Sequence, residues 1–180
     1  MIKTLFLTII LVATSITHNA QASEDNTLYI MLPQGQVTIR MMPEIAPKHV
    51  EQVRTLVRQG FYDNLEWFRV IKDFVAQTGY PLDKSKGTGG KSTLPDLPDE
   101  FSKYKFKRGT VGMGKSDAPN SANSQFFICL SDEMCKDLTG HYTAWGQVTD
   151  GMDLVDQVKI GTPPKNPDKT IKMAIAADLK

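Results

Sequence analysis

The sequence predicts a mainly β fold, an antiparallel barrel or sandwich whose openings are covered by helices. Three observations lead there: many short β-type runs, only two stretches with helical spacing, and no strand–helix–strand rhythm or internal repeat. A chain of 180 residues suffices for one domain with its own core, without metal or disulfide support.

The elements follow in chain order. Met1-Ile2-Lys3 carries one positive charge, and Leu5 to Ile16 is apolar apart from Thr and Ser. Ala20-Gln21-Ala22 then sets small residues where a signal peptidase reads, and the apolar run is shorter than the roughly 20 residues of a membrane span. Residues 1–22 are therefore expected to be a cleaved export signal, leaving a domain of residues 23–180 that works in the periplasm, with secretion as the alternative. Thr27 to Leu32 and Gln36 to Met41 form a hairpin across Pro33-Gln34-Gly35. Pro47 opens a helix and Gly60 closes it, with Val50, Val53, Leu56 and Val57 on one face and His49, Glu51, Arg54 and Arg58 on a solvated one. Trp67 to Gln77 reads as two strands turning at Lys72-Asp73, and Gly87 to Asp99 as a long surface loop. Thr110 to Gly114, Ser124 to Leu130, His141 to Val148 and Ile171 to Ala177 complete the strands, and Met152, Val155 and Val158 mark a short second helix.

Charge and motifs exclude whole classes of function. Removal of Lys3 with the signal leaves 20 basic against 20 acidic residues, so nothing attracts nucleic acid or an anionic membrane. No nucleophile elbow, phosphate loop or paired metal-ligand spacing is present, and Gly87-Thr88-Gly89-Gly90 has no helix behind it to hold phosphate. No metal, cofactor or covalent intermediate is expected. Cys129 and Cys135 are read either as a disulfide, which export permits, or as two free structural thiols.

Polar residues set into apolar strands are the remaining signal. Arg69 lies in Trp67-Phe68-Arg69-Val70-Ile71, Gln77 ends Phe74-Val75-Ala76-Gln77, and Gln125 opens Gln125-Phe126-Phe127-Ile128. Together they suggest an apolar groove with a few fixed hydrogen-bonding groups.

These residues also carry a resemblance. Phe61-Tyr62-Asp63 with Trp67 through Gly79, then Arg108-Gly109-Thr110-Val111-Gly112-Met113 with Pro119 through Ile128, and finally Leu138 through Val148 with Asp150-Gly151-Met152, resemble in order three blocks of the cyclophilins, the peptidyl-prolyl cis–trans isomerases. The resemblance implies a closed antiparallel barrel of eight strands, one helix over each end, and a substrate groove on the outer wall. Carried onto this chain, it makes Arg69 the catalytic residue and places Phe74, Val75, Gln77, Gly114, Lys115, Gln125, Phe127, Leu138 and Tyr142 around the substrate. The partners it implies are proline-containing unfolded or partly folded polypeptides, met by a monomer that assists folding of exported proteins. The alternative is a peptide-binding holdase with incidental isomerase activity.

Departures from the family pattern bear on that reading. Phe68 stands where the family often has His, Val75 where many members have Met, Gly114-Lys115 where an Ala-Asn pair is usual, and Tyr142 where a groove His is common. Asp137 occupies the place of the tryptophan that many eukaryotic members use to bind cyclosporin, after a short insertion holding Met134 and Cys135. Weak cyclosporin binding is the expectation.

Overall fold

The computed structural model describes residues 23–179. The expected export signal, residues 1–22, lies outside them. Eight strands build one antiparallel sheet: β1 (Thr27–Leu32), β2 (Gly35–Met41), β3 (Arg69–Ile71), β4 (Val75–Thr78), β7 (Thr110–Met113), β8 (Phe126–Cys129), β9 (Ala144–Asp150) and β10 (Lys172–Ile175). Their order is β10-β1-β2-β9-β7-β8-β4-β3, and two-residue strands β5 (Gly87–Thr88) and β6 (Lys91–Ser92) pair separately. The expected eight-stranded fold is present, but the ladder is not continuous. The edge strands β3 and β10 do not pair with each other. The chain leading into β10 spans the seam instead, through Val70–Gly161 and Glu66–Lys169 bridges and the Trp67 N–H bond to Asp168 O at 2.9 Å. The barrel is thus a strongly curled sheet sealed by loop hydrogen bonds.

Alternation explains what lies inside. On β1 and β2, Leu28, Ile30, Val37, Ile39 and Met41 are buried while their neighbours are more exposed, as period-two strands with one dry face require. Phe126 is the hub of the interior, with Tyr62, Trp67 and Trp145 packed edge-on at 5.5, 6.1 and 5.5 Å.

Helix α1 (Pro47–Arg58) contributes Val50, Val53, Leu56 and Val57 to the same core. Gly60, at φ +64°, ends it with the Gly60 N–H on Val57 O and the Phe61 N–H on Leu56 O, a Schellman closure that only a residue at ease in the left-handed region makes without strain. Its other end corrects the expected solvated face: His49 is fully buried. The cause is Glu100, whose carboxylate accepts the backbone N–H groups of Lys48 (3.2 Å) and His49 (3.0 Å) and lies 2.7 Å from His49 Nδ1. A carboxylate from a distant segment therefore caps the helix, where the helix dipole favours negative charge.

Three other expectations shift. The second helix, α3 (Met152–Val155), is a single turn, and another turn, α2 (Asp132–Cys135), had no signal in the sequence. The run from His141 does not become strand until Ala144, because the N–H groups of His141 and Tyr142 both turn back to Leu138 O. The stretch from Gly87 to Asp99 is anchored rather than free on the surface. Asn123 accepts both the N–H and the hydroxyl of Ser92 and donates to Leu94 O, and Ser92 and Leu97 are buried.

The buried pair at α1 makes stability depend on pH. Burial holds the His49 pKa below the ordinary 6.5, against the opposing pull of Glu100. Burial of Glu100 acts to raise its pKa, but hydrogen bonds from the His49 ring and from the backbone outweigh it and hold the carboxyl below 4.5. Both groups bind a proton more readily when unfolded, so both withdraw stability as pH falls, His49 beginning near 6.5 and Glu100 near 4.5. Urea denaturation should show a midpoint that declines below pH 6.5, with a slope of at most about 1.4 kcal/mol per pH unit from His49. His49→Gln should flatten that segment. An unchanged slope in the variant would exclude His49 as its source.

Candidate active site

Register assembles the site on the outer wall of the barrel. Arg69 on β3 faces Gln77 on β4, Gln77 faces Phe127 on β8, Phe127 faces Gly112 on β7, and Gly112 faces Ala144 on β9. Directly opposed residues share a face, so one row runs across five strands from a guanidinium to an aromatic floor. One rung along, Val75 faces Cys129 on the same outer side.

β8 is buried on both sides, and its alternation separates two cores. Phe126 and Ile128 point into the barrel, whereas Phe127 and Cys129 join an outer cluster with Met42, Val75, Phe106, Cys135 and Ala144. Phe74, Leu138 and Tyr142 pack on that cluster and remain partly open to solvent. Together they form an apolar groove of about 340 Å³ lined by Arg69, Phe74, Val75, Gln77, Gly114, Lys115, Phe127, Leu138 and Tyr142. Nine of the ten residues expected around substrate thus share one groove. The tenth, Gln125, lines an adjoining groove of about 230 Å³ that shares Gly114 and Lys115 with the first.

A chain of side-chain hydrogen bonds links the two grooves. Arg69 Nη1 donates to Gln77 Oε1 at 3.1 Å, Gln77 Nε2 donates to Gln125 Oε1 at 3.0 Å, and Gln125 Nε2 donates to Gly90 O at 2.9 Å. The direction of this chain is forced: a guanidinium only donates, and Gly90 supplies an acceptor at the far end, so each amide has one permitted orientation. The guanidinium carbon lies 5.8 Å from the Phe74 ring centre, within the range of a cation–π contact. Among the described residues Arg69 has no carboxylate partner, so its charge and remaining N–H groups are available to a ligand.

Phe106 and Gly112 are site residues that had no place in the sequence expectation. The Phe106 ring stacks on Phe127 at 5.9 Å, while Tyr142 meets the same ring edge-on at 5.5 Å. A period-two signal for Phe106 was present in Lys103-Tyr104-Lys105-Phe106-Lys107, where basic residues are exposed and the aromatic ones turn inward. Cys129 and Cys135 are bonded to each other beneath the groove.

A cationic donor beside an apolar floor, with no carboxylate, imidazole or free thiol in the lining, is built to grip and polarise rather than to exchange protons. The cyclophilin-type peptidyl-prolyl cis-trans isomerase family model matches residues 27–177. The chain belongs to the cyclophilins. A probable peptidyl-prolyl cis-trans isomerase of Brucella suis is 49% identical over 173 residues, covering 88% of this chain and 87% of that one. A peptidyl-prolyl cis-trans isomerase of Helicobacter pylori is 33% identical over 130 residues, covering 71% of this chain and 77% of its own. Among solved structures, a Hirschia baltica cyclophilin superposes with a TM-score of 0.75 at 26% identity, covering 87% of this chain and 76% of that one. A Cryptosporidium parvum cyclophilin, solved in the presence of the dipeptide Ala-Pro, gives 0.73 at 25% identity and covers 83% and 98% of the two chains. This cyclophilin is a peptidyl-prolyl cis–trans isomerase.

The floor of the groove in this cyclophilin leaves no room for a side chain at residue 112. A Cβ on Gly112 would stand 2.4 Å from Phe127 Cζ and 2.6 Å from Phe106 Cε1. The two rings stack on each other and Phe127 also meets Tyr142, so neither yields alone. Gly112→Ala should therefore cost about 1–3 kcal/mol in urea denaturation, the usual price of overpacking, and should perturb groove binding. Wild-type stability in this variant would show that the rings move freely.

Proposed function

We propose that Xaa-Pro rotation is catalysed in the groove beside Arg69, and that the substrates are unfolded or partly folded polypeptides met outside the cytoplasm. The observation that carries this reading is the oriented relay Arg69–Gln77–Gln125, which holds at the edge of an apolar floor a guanidinium with no carboxylate partner among the described residues. Rotation about an Xaa-Pro bond breaks amide resonance against a barrier of roughly 18–20 kcal/mol. In the twisted transition state the prolyl nitrogen becomes pyramidal and regains a lone pair. An N–H of Arg69 aimed there makes a hydrogen bond that the planar ground states scarcely accept, and an interaction stronger in the transition state is what lowers a barrier. Phe74, Val75, Phe127 and Leu138 receive the proline ring, Gln77 orients the guanidinium, and the backbone near Gly114 and Lys115 holds the substrate chain. Neither rotation nor its reversal moves a proton, which agrees with a lining that holds no carboxylate, imidazole or free thiol.

Export is supported by the pattern of residues 1–22, and a foldase in that compartment has to work without nucleotide energy. Accelerating an equilibrium meets that restriction. The Cryptosporidium parvum relative in the presence of Ala-Pro supports a proline-containing ligand. Action as a monomer is part of the same proposal.

In a protease-coupled assay on an Ala-Pro peptide, Arg69→Ala should lower kcat/KM by roughly 10²- to 10³-fold, the usual loss for one transition-state donor. Gln77→Ala should act through Arg69, lowering kcat with little change in KM. Wild-type activity in Arg69→Ala would sink the mechanism. Unfolded clients bound equally by both proteins, with rates near background in wild type, would favour a holdase instead. Calorimetry should find weak cyclosporin binding, because Asp137 stands in the place of the tryptophan that sensitive relatives use; an affinity matching theirs would contradict this.

A further inference from the structure

Beneath the groove lies a feature that isomerisation, as derived above, does not use. Cys129 and Cys135 are joined by a disulfide, and both are fully buried in the outer cluster. Cys129 sits two residues from Phe127 on the same face of β8 and opposite Val75 of β4, so the bond lies under the groove floor.

The other end of the bond lies in a segment that is largely exposed. From Ser131 to Asp137 the sole buried residue is Cys135, with Asp132, Glu133, Met134, Lys136 and Asp137 exposed. Helix α2 is one turn and is too short to persist by itself. Yet this segment delivers Leu138 to the groove, and Leu138 O accepts the N–H groups of His141 and Tyr142, both at 3.1 Å. Two walls of the groove therefore hang from one exposed turn. Its ties to the rest of the molecule include the disulfide, the Ser131 hydroxyl bond to Asp73 O at 2.6 Å, the Arg108 N–H bond to Asp132 Oδ1 at 2.7 Å, and the Phe106 N–H bond to Thr139 Oγ1 at 3.0 Å. Cys135 Sγ also touches Phe74 O at 3.3 Å, bringing the bond against a third wall residue.

We propose that the Cys129–Cys135 disulfide is a positioning element of the isomerase site, fixing Leu138, and through it Tyr142, against Phe127 and the proline ring. This rests on the reading of the groove as the site of rotation. A purely stabilising role is the competing account, since closing even a short loop restrains the unfolded chain, and the two are separated by kinetics measured on folded protein.

The test is a double-mutant cycle on the full mature protein, assayed in the cold where circular dichroism shows each variant folded. Cys129→Ala with Cys135→Ala should raise KM roughly three- to tenfold while kcat stays within about twofold, since loosened walls weaken proline binding in ground and transition states alike. The same pair introduced into Leu138→Ala should add little, because the wall it positions is already gone. Arg58→Ala, which breaks the remote Arg58–Asp178 pair, should lower stability and leave kinetics unchanged. Unchanged kinetics in the folded cysteine pair, or losses that multiply in Leu138→Ala, would overturn the proposal.

If the cysteine pair does not fold, the wild type is compared before and after treatment with dithiothreitol. The reagent's two thiols are oxidised to a cyclic disulfide while the protein's bond takes up two electrons and two protons as two thiols, a change verified by alkylation and mass spectrometry. The same rise in KM is expected, and an unchanged KM in the reduced, folded protein overturns the proposal. Arg69→Ala separates the two levels: full activity there defeats the groove reading, whereas lost activity there with normal kinetics in the cysteine pair defeats only the role of the bond.

Discussion

Strand β8 has no wet face, and that constraint organises both halves of the molecule. A strand of four residues sends Phe126 and Ile128 one way and Phe127 and Cys129 the other, and all four are buried. Burying an aromatic or branched side chain contributes about 1.5–3 kcal/mol, so each face needs a cover of its own. The inner face finds one in the barrel interior. The outer face lies where a barrel normally meets water, and it is covered by segments that cross the wall from outside: Phe106, Cys135 and the chain through Leu138 to Tyr142. The groove is the part of that outer face left open between its covers. A one-residue slip of β8 would turn Ile128 out toward the groove and Cys129, with its disulfide, into the barrel, so register and site are specified by the same pairing.

Electrostatics follow from this geometry. Arg69 lies at the rim of the outer face, where an acidic partner would quench it and solvent alone would leave it mobile. Neutral amides solve both problems. Gln77 and Gln125 orient the guanidinium without neutralising it, and the carbonyl of Gly90 ends the relay on a loop that Asn123 secures. A buried ion pair would offset much of its own attraction by desolvation, whereas an amide relay keeps the positive charge directed outward. The loop from Gly87 to Asp99 is therefore part of the site's support, although no catalytic group sits on it.

What the sequence disclosed, and what it withheld, divides along the range of the interactions. Period-two alternation on β1 and β2, the Pro47 and Gly60 boundaries of α1, and the turn at Lys72-Asp73 are local and were readable directly. Arg69, Gln77 and Gln125 stood out because polar residues interrupted apolar runs, and the groove does bring Arg69 and Gln77 together with Gln125 one hydrogen bond away. His49 was misread because its partner Glu100 is 51 residues distant and the helix pattern alone places it on the wet face. Phe106 and Gly112 were missed because their importance comes from a second core outside the barrel: the alternation around Phe106 shows that its ring turns inward, but not what it packs against. The seam between β3 and β10 is likewise made by loop bridges that carry no strand signal.

The division between wall and floor also bears on how such a groove changes its specificity. The floor residues Phe127, Val75 and Gly112 are locked into sheet register, so substitution there disturbs the outer core. Leu138, Tyr142 and Lys115 lie outside the strands, whereas Gly114 extends the β7–β8 pairing through its N–H bond to Gln125 O at 2.7 Å. Of the departures that the resemblance implies, Phe68, Gly114, Lys115, Asp137 and Tyr142 lie outside the strands. Val75 lies within one, buried in the floor opposite Cys129. On the proposed reading, the sheet fixes Arg69 while the segments around the groove set which chain it receives.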